Sequence, residues 1–303
     1  MTERLVFMGV TTARSRIMQL FPEWTALLGL DAQVVGLDLP LDGEPAIYRR
    51  AVQDVRDDPG VRGALVTSHK VSVFEGAGDL FDELEPWARL CGEISCISKR
   101  DGRLCGRATD PIASGVALRD FMPPSHWREH PDAGVLCLGA GGSGAAVVAH
   151  LVTQAERPER IVVTGRRRER LDRVRAIIDE LASDAAVELQ LVRDEADTDA
   201  LVASMAPGSL IINATGAGKD RPGSPMSDAA VLPPDAIAWD FNYRGELRFL
   251  AQARAQLPPA RVHDGWRYFI HGWTQVMAEV FELELTPERL AALDATATRS
   301  RDA

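Results

Sequence analysis

The sharpest chemical signal in this chain is the run Gly139-Ala140-Gly141-Gly142-Ser143-Gly144. Gly139, Gly141 and Gly144 fit G-x-G-x-x-G, directly after the apolar segment Gly134-Val135-Leu136-Cys137-Leu138 and ahead of an Ala/Val-rich stretch reaching Val152. Between a strand and a helix, that spacing suits a dinucleotide's pyrophosphate. The first glycine permits the tight turn, the second lets backbone approach the phosphates, and the third lets helix pack closely on strand. Gly142 and Ser143 would then open the helix, where free amide groups and the helix dipole favour an anion.

The next strand-like segment, Arg160 to Thr164, runs into Gly165-Arg166-Arg167-Arg168, and Arg170 follows. An NAD site wants a carboxylate here for the ribose hydroxyls. None stands at the strand's end, and the planar guanidinium groups of Arg166, Arg167 and Arg170 suit a 2′-phosphate instead. Positive charge at a helix start opposes the helix dipole, so without an anion the cluster is unfavourable. NADP is therefore the expected cofactor.

Only three of the 34 basic residues are lysine: Lys70, Lys99 and Lys219. A lysine can give up its proton near neutral pH in suitable surroundings, which guanidinium cannot. Lys70 stands with His69 just beyond the strand-like segment Val61 to Val66. The four cysteines, Cys91, Cys96, Cys105 and Cys137, have no C-x-x-C spacing and no nearby histidine cluster, so no metal is expected.

Elements of alternating type must position these groups. Leu5–Val10, Ala32–Leu37 and Val61–Val66 read as strands, with helices over Ile17–Leu28, where Pro22 predicts a kink or a late start, and Pro45–Val55. Further on, Arg160–Thr164, Val187–Val192, Leu210–Asn213 and Ala236–Asp240 read as strands, Glu169–Leu181 as an amphipathic helix, and Arg299–Ala303 as a frayed tail. Strands alternating with helices predict an α/β protein with parallel sheets. The pair Pro123-Pro124 and the polar run Ser125–Asp132 read as a linker.

A chain of 303 residues, 46% hydrophobic and 26% charged, is long enough for two ordinary globular domains. A net charge of −10 argues against nucleic acid or an anionic membrane as partner. No apolar run approaches the ~18 residues of a membrane span. Met1-Thr2-Glu3-Arg4 does not open a secretory signal, so the cytoplasm and reduced thiols are expected.

From roughly Gly9 to Glu284 the sequence resembles the shikimate/quinate dehydrogenases, with motifs in family order. Gly9–Phe21 is similar to the family's N-terminal substrate loop, and Val66-Thr67-Ser68-His69-Lys70 to the segment ending in its catalytic lysine. Gly106-Arg107-Ala108-Thr109-Asp110 resembles the G-x-N-T-D segment with the catalytic aspartate. Gly139–Gly144 and Arg166 match the nucleotide loop and its phosphate-binding arginine, and Asn213-Ala214-Thr215 the N-A-T turn by the nicotinamide. Asp240-Phe241-Asn242-Tyr243 resembles D-x-x-Y, and Asp264-Gly265 the start of the C-terminal helix.

The resemblance implies a substrate-binding and catalytic domain over residues 1–122 with 265–303, and an NADP-binding Rossmann domain over 123–264. It implies Lys70 and Asp110 as a proton-transfer pair beside a hydride-transferring nicotinamide. It implies substrate contacts from Ser15, Arg16, Thr67, Ser95, Tyr243, His271 and Gln275; Trp266, Tyr268, Phe269 and Trp273 are read as core.

The departures bear on specificity. In the family's S-x-S-P pattern Ser15 matches the first serine, but Ile17 and Met18 replace the second serine and the proline, and Arg14 and Arg16 flank Ser15. Ser95 and Ala108 stand at two family asparagines, and Gly272 at a glutamine, with His271 beside it and Gln275 one turn later. The lysine segment is one residue short and lacks its proline. A site built for particular hydroxyls loses discrimination steeply, ~10⁴-fold or more, when its pairings change. The expected function is an NADP-dependent oxidoreductase for a cyclic or polyhydroxylated alcohol or ketone other than shikimate. The competing expectation is a non-catalytic NADP-binding sensor with the same fold. The expected partner is a small molecule, and the expected assembly a monomer or homodimer.

Overall fold

The computed structural model describes residues 2–219 and 221–302. It divides into two compact units, Met1–Thr109 with Ile270–Ala303, and Asp110–Phe269.

The first unit is built on β1 (Glu3–Gly9), β2 (Ala32–Asp38), β3 (Val61–Val66), β4 (Glu83–Leu84), β5 (Cys96–Arg100) and β6 (Arg103–Arg107), in the order β2-β1-β3-β5-β6-β4. β1 pairs in parallel with β2 and β3, whereas β5 runs antiparallel to both β3 and β6. The β5–β6 hairpin turns at Asp101-Gly102, whose φ angles are 51° and 76°. Two consecutive positive φ angles are what an Asp-Gly turn supplies at low cost. The helix over Ile17–Leu28 continues through Pro22 and stops at Gly29, with φ 69°. The helix Pro287–Asp302 lies on it, with Trp24 Nε1 donating to Leu293 O at 3.0 Å. Residues 299–302, expected to fray, belong to that helix; Ala303 lies outside the described residues.

The second unit carries β7 (Val135–Leu138), β8 (Arg160–Gly165), β9 (Ala186–Leu191), β10 (Leu210–Asn213), β11 (Ile237–Asp240) and β12 (Val262–His263), in the order β12-β11-β10-β7-β8-β9. Every neighbouring pair is parallel. From the β9 edge this is the doubly wound order 3-2-1-4-5-6, whose direction reverses between β7 and β10. β7, β10 and β11 are buried at every position, which accounts for their near-continuous apolar character.

The units divide earlier than the expected boundary at residue 122, because the helix Asp110–Arg119 packs along the helix Gly142–Val152 in the second unit. Gly115 makes this approach possible: a Cβ there would fall 2.1 Å from His150 Cε1. The stretch expected to be a linker is packed as well. It holds a short helix over His126–Glu129, buries His126 and Trp127, and places His126 Nε2 2.9 Å from Gly208 O. No helix among the described residues is long and apolar enough to cross a membrane.

Candidate active site

In the second unit, β7 delivers the chain to Gly139, whose φ is 116°. A Cβ at Gly139 would lie 2.8 Å from the carbonyl of Ala214, and one at Gly144 2.0 Å from Gly139 O, so both positions require glycine. Gly141 differs. It caps the helix Gly142–Val152 in an extended conformation, and the nearest atom to a Cβ there would be Arg170 Nη1, at 3.8 Å. At Gly141 the loop thus leaves room beside partly exposed backbone, with a guanidinium next to it, and those are the properties a pyrophosphate needs.

β8 ends at Gly165, and Arg166, Arg167 and Arg170 follow on exposed positions. The Arg170 guanidinium is held below its ordinary pKa first by partial desolvation, then by the charges of Arg167, Arg221, Arg173 and Arg166. Arg221 enters from the loop after β10 and was not singled out from sequence. Such a gathering of like charge is relieved by a bound anion.

Asn213 and Thr215 shape the turn after β10. The fully buried Asn213 donates from Nδ2 to Asp240 Oδ2 at 3.1 Å and accepts on Oδ1 from the Thr215 hydroxyl at 2.6 Å and its N–H at 3.1 Å. Its amide therefore holds the turn together and is not presented outward; Thr215 is exposed. Burial pushes the Asp240 carboxyl up to about 7, against the lowering effect of hydrogen bonds from Asn242 and Asn213. Tyr243 packs its ring 4.5 Å from Phe269 and 5.5 Å from Trp266.

Asp110 opens its helix and is 5% exposed. Its Oδ2 accepts from Ser143 Oγ at 3.3 Å and from the Tyr268 hydroxyl at 2.5 Å. The glycine loop, the carboxylate and a tyrosine therefore form one network inside this unit. The sequence places Tyr268 among core aromatics, and its ring does pack 4.7 Å from that of Phe241.

In the first unit, β3 runs into Thr67, whose N–H donates to Met8 O at 3.0 Å, and Ser68 turns the chain with φ 51°. His69 caps the helix Lys70–Ala77, so Lys70 is its first residue. His69 is 1% exposed, with its ring 5.5 Å from that of Tyr48; burial lowers its pKa, partly offset by the backbone of Gly9 and Leu39. It is a buried packing residue. Lys70 O accepts the Ile94 N–H at 3.0 Å, which registers the lysine turn against the segment leading into β5.

Ser95, expected at the substrate, is 2% exposed. Its Oγ accepts the Thr109 N–H at 2.7 Å and shares a hydrogen bond with Thr109 Oγ1 at 2.9 Å. The hydroxyl thus has Thr109 as its partner within the polypeptide. In the N-terminal loop the turn Thr12–Arg14 is pinned by Asp38 Oδ1, which accepts from Thr12 N–H at 2.8 Å and its hydroxyl at 2.6 Å. Ser15 follows, mostly buried, and Arg16 Nη1 donates to Gln19 Oε1 at 2.7 Å. On the helix Trp266–Val280, His271 is buried and Gln275 half-buried, while a Cβ at Gly272 would meet nothing within 4 Å.

No profile of a known protein family matches the chain. The shikimate dehydrogenase (NADP(+)) of Methylobacterium radiotolerans is 31% identical over 84% of this chain and 83% of its own length. Among solved structures, shikimate dehydrogenase from Aquifex aeolicus superposes with a TM-score of 0.76 at 20% identity, covering 100% of this chain and 98% of that one. The 5-ketofructose reductase of a Gluconobacter strain gives 0.71 at 20% identity over 99% of each chain.

Proposed function

The chain belongs to the shikimate dehydrogenase family, and from that premise we propose that it is an NADP-dependent oxidoreductase for a cyclic or polyhydroxylated alcohol or ketone other than shikimate. The observation that carries this reading is the hydrogen bond from Ser143 to Asp110, because it ties a proton-handling carboxylate to the dinucleotide loop. When bound, NADP supplies or takes up the hydride. The backbone of Gly139, Gly141, Gly142, Ser143 and Gly144 would hold its pyrophosphate, Arg166, Arg167 and Arg170 its 2′-phosphate, and the turn from Asn213 to Thr215 its nicotinamide end.

Lys70 holds and delivers the proton at the substrate oxygen, and Asp110 orients that oxygen as the carboxylate of the pair. Ser15, Arg16, Thr67, Ser95, Tyr243, His271 and Gln275 are the proposed substrate contacts. Ile17 and Gly272 withdraw two polar groups from the family's shikimate clamp, and Ser95 turns its hydroxyl to Thr109. Support for a different substrate therefore comes from side-chain chemistry, and the 5-ketofructose reductase shows that this fold serves other ketones. A small molecule is the proposed partner, the cytoplasm the proposed compartment, and a monomer or homodimer the proposed assembly.

The test is nicotinamide absorbance with NADP(H) and a panel comprising shikimate, 5-ketofructose and other cyclic polyols and ketones. Turnover of a panel member other than shikimate, lost in Lys70→Ala, is expected. Efficient shikimate oxidation would overturn the specificity, and NADPH binding with no turnover of any member would favour the sensor.

A further inference from the structure

A carboxylate has two equivalent oxygens and turns freely about its Cβ–Cγ bond, so a carboxylate that must orient a substrate needs something to fix it. Asp110 sits at a helix start, nearly out of water, where the helix dipole favours its charge. Both of its described donors, Ser143 Oγ and the Tyr268 hydroxyl, reach the same oxygen, Oδ2. Ser143 belongs to the glycine loop, whereas Tyr268 comes from a helix and stands 158 residues beyond Asp110 in the chain.

The tyrosine is itself held. Its ring lies 4.7 Å from Phe241 and 6.4 Å from Trp239, edge to face with the latter, so the phenol has little freedom to leave. A phenylalanine would fill the same space, so what the tyrosine adds here is the hydroxyl placed on the carboxylate.

We propose that Tyr268 is a positioning residue for the reaction: its hydroxyl, with that of Ser143, fixes the Asp110 carboxylate in one orientation against the dinucleotide loop. The inference rests on the reading of Asp110 as the carboxylate of the proton-transfer pair. It concerns a residue which that reading leaves unused. Tyr268 touches neither substrate nor cofactor in this role and acts through Asp110 alone. Tyr268→Phe keeps the ring packing with Phe241 and Trp239, so it removes the hydroxyl and leaves the fold.

The chain has three tyrosines, Tyr48, Tyr243 and Tyr268, which makes the test direct. In full-length protein carrying an NMR-visible carbon isotope at tyrosine Cζ, the Tyr268 resonance is identified by its loss in Tyr268→Phe. It should move in Asp110→Asn and, by less, in Ser143→Ala, while the Tyr48 and Tyr243 resonances stay in place. With 5-ketofructose as probe substrate, Tyr268→Phe should lower kcat roughly 10-fold or more, the scale of a lost charge-assisted hydrogen bond, with NADPH affinity unchanged. A Tyr268 resonance indifferent to Asp110→Asn overturns the proposal, and this arm decides without any substrate. So does wild-type kcat in Tyr268→Phe. Lys70→Ala separates the two readings: if it keeps full turnover while Tyr268 still responds to Asp110, the proton-transfer assignment fails and the hydroxyl–carboxylate contact stands.

Discussion

Ser95 and Thr109 are joined twice, by the Thr109 N–H donating to Ser95 Oγ at 2.7 Å and by a hydroxyl–hydroxyl bond at 2.9 Å. Ile94, the residue before Ser95, donates its N–H to Lys70 O, and Asp110 follows Thr109 in the chain. One buried serine thus ties the segment that carries Ile94 to Thr109 within the first unit. Ser95→Ala leaves a buried amide and hydroxyl without that partner and should cost about 1–3 kcal/mol of stability. Chemical denaturation measures this; a loss below about 0.5 kcal/mol would place the hydroxyl among ordinary surface groups.

Lys70→Ala should lower turnover by ~10²–10⁴ while NADPH titration stays near wild type, the usual contribution of a positioned general acid–base. Asp110→Asn should also lower it, and the double variant should fall by less than the product of the two. Wild-type rates in Lys70→Ala would remove the proton-transfer assignment.

Arg166→Ala should weaken NADPH by roughly 10–150-fold and NADH far less, since only NADPH carries the 2′-phosphate. Arg170→Ala should weaken both, because Arg170 Nη1 lies over Gly141 as well as among the other guanidinium groups. Fluorescence titration of both nucleotides against both variants tests the division of labour. Equal losses for the two cofactors in Arg166→Ala would contradict it.

Buried Asp240 and half-buried His150 pull the pH dependence of stability in opposite directions. Burial raises the Asp240 carboxyl to about 7, above ~3.9 in an unfolded chain, so its contribution declines as pH rises through that window. Burial, with help from Arg119, lowers His150 to about 4, beneath ~6.5 when unfolded, so its contribution declines as pH falls. Between about pH 4 and 6.5 the two slopes oppose. Urea midpoints should therefore rise with pH in Asp240→Asn and fall with pH in His150→Gln over that range. Parallel curves for the two variants would refute the assignment.

Gly272 stands in a helix interior where a Cβ would meet nothing within 4 Å. Gly272→Ala should therefore stabilise the protein by about 0.5–1 kcal/mol through helix propensity alone. Gly272→Gln restores the family's amide and should improve use of shikimate relative to the native substrate. A fall in melting temperature for the alanine variant would mean that the space is not open.

Much of this architecture is local in origin and was legible in the residues. Gly139 and Gly144 are required by steric approach within one strand–turn–helix unit, and the apolar runs of β7 and β10 report burial on both faces. The Asp101-Gly102 turn is an equally local signal, and it sets the β5–β6 hairpin. Arg166 and Arg170 follow the same rule, since their place after β8 is set by chain order. What tertiary structure alone decided is where the polar side chains spend their hydrogen bonds. Ser95 has the chemistry of a substrate contact but turns to Thr109, and Tyr268 has the periodicity of core but ends on Asp110. Backbone preference and periodicity act over a few residues. A hydroxyl's partner is chosen by packing between segments far apart in the chain, and no local pattern encodes that choice.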